Sequence, residues 1–141
     1  MSSLRLSTTK LAVVLGAAAL VVAVPLTVRY AVRRANMQGR IPSPAVIRVV
    51  DPADGTVTPQ RVHARIAVTG ARVTLPSTTR IVPGEGHFHL NLDGRPLTMQ
   101  YTGDVEFDVA KGPHTLEVEF VSSDHRPFNP RITTSVRFEA R

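Results

Sequence analysis

Cysteine is absent from the chain, so no disulfide braces the fold and no thiolate is available to a metal or a reaction. Tryptophan is absent as well, and five Phe and two Tyr are the whole aromatic complement, so a core must be filled mainly by Val, Leu and Ile. The first 40 positions contain no acidic residue, and there Arg5, Lys10, Arg29, Arg33, Arg34 and Arg40 stand unopposed. That asymmetry carries the whole formal charge of +6, because the eleven Lys and Arg further on are balanced by all eleven Asp and Glu. A nucleic-acid binder concentrates positive charge on its folded surface, and the neutral stretch after position 40 argues against that class. No Gly-rich phosphate loop, Gly-x-Ser-x-Gly elbow or paired carboxylate site occurs. The expectation is a non-enzymatic chain with no catalytic residue. Its 141 residues allow one domain plus an extension, enough to close a core by burial alone.

What is present divides the chain into four parts. Residues 1–10 are a short basic segment, and Leu11 to Val28 are 18 residues without a charge. As a helix they would span about 27 Å at 1.5 Å per residue, close to the roughly 30 Å of a bilayer's hydrocarbon. The stretch is apolar on every face, unlike the amphipathic helix of a globular core. A cleaved signal peptide is the alternative, but Val21-Val22-Ala23 is a poor cleavage site and the apolar run continues beyond it. The expectation is a signal-anchor transmembrane helix over 11–28, with membrane as the first partner. The four Arg after it favour a cytoplasmic C-terminal side by the positive-inside rule. A short basic start before an apolar run is also what export machinery reads, and the expectation adopted is an extracytoplasmic domain. Residues 29–44 read as a basic linker ending in Ile41-Pro42-Ser43-Pro44, where the prolines favour extended backbone.

From Ala45 to the end the pattern is period two, with turn signals every eight to twelve residues. Val62, Ala64, Ile66 and Val68 share one side of a strand, and Phe88, Leu90 and Leu92 share one side of another, which Asp93-Gly94 turns. Val105, Phe107 and Val109, then Leu116, Val118 and Phe120, repeat the pattern. The last strand, over Arg131–Ala140, places Ile132, Phe138 and either Ser135 or Val136 inward. Seven or eight strands in this span predict an all-β, immunoglobulin-like antiparallel β-sandwich over residues 45–141. The Cys…Trp…Cys signature of antibody domains is missing.

Five histidines stand out against this background: His63, His87, His89, His114 and His125. His87 and His89 lie two apart on one strand, so they share a face with bases about 7 Å apart. Neutral imidazole suits zinc, copper or nickel. In an immunoglobulin-like order the strand opened by His114 neighbours that pair and brings Glu117 and Glu119 beside it, with both imidazoles on the open face. His125 follows in a loop, and Met99 adds a soft donor for copper. The candidate ligands are His87, His89, His114 and His125, with Met99 weaker. The same residues also read as a solvated pair, as an edge-of-core His114 satisfied by a carbonyl, and as a loop-anchoring His125. His63 receives no role. Ser122-Ser123-Asp124-His125 holds the letters of a hydrolytic triad, but a triad gathers its members from separate elements, so the run is taken as coincidence.

Gly86-His87-Phe88-His89-Leu90 with Leu92-Asp93-Gly94, then Gly112-Pro113-His114-Thr115-Leu116, then Asp124-His125-Arg126-Pro127, resembles a family of bacterial envelope domains of unknown function. The likeness spans about residues 84–132. Two departures stand in it: Gly112-Pro113 reverses the family's Pro-Gly, and Phe88 occupies a frequent His position, removing one donor. The resemblance implies an exported, non-catalytic β-sandwich and places four histidines inside its motifs. His89 and Met99 also faintly resemble the ligand pattern of periplasmic copper-binding β-domains, though no His-x-Met follows. Three functional expectations result. The first is a membrane-anchored extracytoplasmic binding domain, with an envelope protein as a further partner. The second is a histidine-based copper or zinc binding or delivery protein. The third is a structural subunit of a membrane complex.

Overall fold

The structure is a computed structural model that describes residues 40–77 and 80–141. The expected anchor at 11–28, the segment before it and most of the 29–44 linker lie outside the described residues. Among the described residues no helix is long and apolar enough to cross a membrane.

Among the described residues nine strands follow in chain order: β1 (Val46–Asp51), β2 (Thr56–Thr58), β3 (Arg61–Thr69), β4 (Arg72–Val73), β5 (Glu85–Leu92), β6 (Arg95–Gln100), β7 (Asp104–Asp108), β8 (Gly112–Ser122) and β9 (Pro127–Ala140). One sheet has the order β1-β3-β7; the other runs β2-β9-β8-β5, with β4 and β6 both on the far edge of β5. The seven longer strands pair antiparallel, and the two short pieces, β2 on β9 and β4 on β5, pair parallel. This is an immunoglobulin-like β-sandwich, as the alternation predicted.

Period-two patterning sets the core. Ile47 and Val49 of β1, with Val62, Ala64 and Ile66 of β3, face Phe88, Leu90, Leu116, Val118 and Phe120 of the other sheet. On β9 the inward residues are Val136, Phe138 and Ala140, so Val136 rather than Ser135 takes the inner row. Gly86 is required where β5 meets β8, because a Cβ there would lie 2.0 Å from the Val121 carbonyl oxygen. Residues 40–44, expected to end a linker, pack with the domain. Arg40 donates to the Pro127 carbonyl at 3.2 Å, Ile41 lies on the core, and its carbonyl accepts the Asn129 N–H at 3.1 Å.

β9 is longer than its alternation suggested, beginning at Pro127. Its ladder with β8 jumps from Phe120↔Ile132 to Val121↔Pro127, so residues 128–131 bulge out. The bulge drives Phe128 fully into the interior, stacked on Phe120 with centroids 5.8 Å apart. Phe128→Ala should therefore cost about 3–5 kcal/mol in urea unfolding. A loss below about 1 kcal/mol, the size of a surface change, would show that this ring is not part of the core.

Candidate metal centre

The alternation that buries Phe88 and Leu90 turns His87 and His89 to the outer face of the larger sheet. The third member of the cluster arrives from the turn between β8 and β9. In that turn the Ser122 N–H donates to the Arg126 carbonyl and the His125 N–H to the Ser122 carbonyl, both at 2.9 Å. Ser122 Oγ lies between the Arg126 carbonyl, at 2.8 Å, and the Asp124 carboxylate, which also accepts the Arg126 N–H at 3.2 Å. The Ser77 N–H and Ser123 Oγ then tie the turn to the chain before β5, through the Ser123 and Arg80 carbonyls at 2.8 and 2.9 Å. His125 takes the left-handed backbone conformation, φ 64°, which costs a non-glycine residue about 1–2 kcal/mol. Its ring is thereby aimed back at β5.

Three ring nitrogens meet as a result. His87 Nε2 lies 3.2 Å from His89 Nε2 and 3.0 Å from His125 Nδ1, and the last two are 3.4 Å apart. Hydrogen bonds cannot satisfy all three edges of this triangle. In a neutral imidazole the nitrogen at each vertex is either donor or acceptor, so one edge always joins two of a kind. Protonating them sets cations in contact. A single cation inside the triangle satisfies all three. An ion held tetrahedrally at about 2.0–2.1 Å spaces its nitrogens about 3.3–3.4 Å apart, which is nearly the observed spacing. Among the described residues this is the group of His, Asp and Glu that converges closely enough to hold an ion.

Burial grades across the site. His87 is 0% exposed, His89 is half-buried and His125 is exposed. The expectation that both strand imidazoles lie in the open therefore fails for His87. The β8–β9 turn and Tyr101, whose ring centroid is 5.2 Å away, cover it. Val121, paired opposite and itself buried, completes the cover. Burial, reinforced by His125 and His89, pushes the His87 pKa down to about 4. Burial and His125 also lower that of His89, against the pull of Glu119. Both rings are neutral at pH 7, the form that ligates. Nδ1 of His87 is buried with no hydrogen-bond partner among the described residues.

The other predicted residues fall in different places. Glu119 pairs directly with His89, but its carboxylate is gripped by Arg131, Nε at 2.7 Å and Nη2 on the other oxygen. Glu117 pairs with Asn91 rather than with a histidine. His114 sits at the opposite end of the β5–β8 ladder, away from the cluster, with both nitrogens engaged: Nδ1 on Asp93 at 2.8 Å and Nε2 on the Ala110 carbonyl at 2.9 Å. His63 faces Asp104 at 3.5 Å on the exposed face of β3. Met99 is paired with His89 across β5 and β6. The triad letters do not assemble, since the Ser122 hydroxyl lies on Asp124 and not on an imidazole.

No family profile matches the sequence, and no curated protein matches it. Among solved structures the chain is similar to the fibronectin(III)-like modules of Clostridium thermocellum CbhA. The likeness has 13% identity and a TM-score of 0.47, and covers 68% of this chain and 97% of that one. It is also similar to the endo-beta-1,4-mannanase from Thermotoga petrophila, at 13% identity and a TM-score of 0.45, over 69% of this chain and 20% of that one.

The Asp93–His114 pair generates a pH prediction. The Asp93 carboxylate, then the Ala110 carbonyl, raise the His114 pKa above 6.5. The Thr115 N–H and then His114 lower that of Asp93 below 3.8. The His114 contribution is complete below pH 6.5 and is lost as pH rises through the raised value. The Asp93 contribution is complete above pH 3.8 and is lost as pH falls through the lowered one. His114→Gln should thus destabilise more at pH 5.5 than at pH 8.5 in urea midpoints. An equal loss at both would contradict the ion pair.

Proposed function

We propose that this chain is a transition-metal-binding immunoglobulin-like domain held at the cell envelope, taking zinc or copper on His87 Nε2, His89 Nε2 and His125 Nδ1. The observation that carries the reading is the closed triangle of nitrogens at 3.0–3.4 Å, which a shared cation would satisfy at every vertex. The left-handed His125 supports it, since backbone strain in an ordinary turn favours glycine or asparagine there. With His87 buried and His125 at the surface, the ion would be gripped from below and reachable from above. That suits reception and presentation of a metal. The surroundings support a non-catalytic role: Glu119, the carboxylate paired with His89, is held by Arg131. The short basic segment before the expected anchor at 11–28 and the envelope-domain resemblance support display outside the cytoplasm, against the four Arg that follow the anchor.

Titration of the full chain in detergent with Zn(II) and Cu(II) should give one saturable site. Ligand at 100 times Kd should stabilise the fold by about 2.7 kcal/mol. His125→Gly should abolish that gain while leaving the metal-free fold within about 1 kcal/mol of the parent, because glycine accepts the left-handed backbone without strain. His63→Gln and His114→Gln should bind as the parent does. No saturable binding, or equal loss on changing His63, would refute the site. For topology, a reporter fused after Arg141 should be active in the form that requires export; activity confined to the cytoplasmic form would refute display outside.

A further inference from the structure

We infer that Met99 supplies the fourth donor to this centre and makes it a copper(I) site. The inference rests on the three-histidine reading above. The β5–β6 ladder sets Met99 directly opposite His89, and opposed residues of an antiparallel pair project from the same face with Cβ atoms about 4.5–5.5 Å apart. Tyr101, two residues further on, shows that face in use, since its ring packs on His87. The ladder steps from Leu90↔Thr98 to Asn91↔Pro96, leaving Leu97 as an extra residue. Leu97 packs on the core while Met99 stays 48% exposed. In an unbroken strand these two would share a face. The bulge separates them, sending the leucine inward and leaving Met99 on the outer face that carries His89.

The chemistry of the donor set selects the ion. Three imidazole nitrogens and a thioether bring no negative charge as donors, and the nearby Glu119 carboxylate is held by Arg131. Such a set favours a soft ion of low charge, and thioether sulfur selects copper(I) over zinc. Methionine is unbranched with three rotatable bonds, so the half-exposed Met99 can turn its sulfur toward the open side of the triangle without disturbing the core.

The test uses the full chain in detergent. Copper(I) is offered anaerobically as its bicinchoninate complex, and Zn(II) is titrated separately, for the parent and for Met99→Leu. Copper(I) affinity should fall about 100-fold, the upper end of what losing a supporting partner costs, since here a direct donor goes. Zinc affinity should stay within about threefold by the same standard. X-ray absorption of the copper(I)-loaded parent should show a bound sulfur that Met99→Leu lacks, and the metal-free melting of the two should agree. Unchanged copper(I) affinity, or equal losses for both ions, would overturn the Met99 assignment and leave the three histidines standing. A parent that binds neither ion would remove the three-histidine reading itself.

Discussion

The ladder between β5 and β8 is the constraint from which both the core and the site follow. Strand periodicity allows one residue in two to face the interior, and Phe88 and Leu90 take those positions against Phe120 and Val118. His87 and His89 are thereby forced outward together. A slip of one residue would exchange two imidazoles for Phe88 and Leu90 in the core. Gly86 protects the register, since a side chain there would strike the Val121 backbone.

Around that ladder the domain departs from local preference at connected points. His125 occupies a left-handed position without being glycine, and His87 is sealed beneath Tyr101 and the β8–β9 turn with Nδ1 unpaired among the described residues. The bulge in β6 re-aims a methionine, and the larger one in β9 sends Phe128 under the sheet behind the turn. Consistency between local and global preferences is the norm in folded proteins, and exceptions collect where function is held. Here His125 and the sealed His87 lie together at one end of the larger sheet. The left-handed His125 and the sealed His87 are unfavourable for folding alone, and with His89 they bring three nitrogens together.

The sandwich and most inner rows were legible in the sequence because alternation is a local signal. The same rule paired His87 with His89. It could not separate His114 from His125, because that choice depends on which end of β8 lies beside the pair, a matter of register. His114 turned out to be bound to Asp93 and Ala110, and the turn carrying His125 supplied the third nitrogen. Alternation alone does not reveal the burial of His87, because an outer face of a sheet is not always a solvent face. A sign of the cover was present: Val121 follows Phe120, so both faces of β8 are apolar at that end, and Tyr101 has the parity of His87. The bulges in β6 and β9 lie outside the alternation: Leu97 and Met99 would share a face in an unbroken strand, and Phe128 precedes the strand expected over Arg131–Ala140.

The central claim is that three specific nitrogens share one ion. Crystals grown with zinc and measured across the zinc absorption edge address it most directly. The account predicts one anomalous peak at about 2.0–2.1 Å from each of His87 Nε2, His89 Nε2 and His125 Nδ1. A peak confined to His63 or His114, or rings rotated apart with no peak between them, would contradict it.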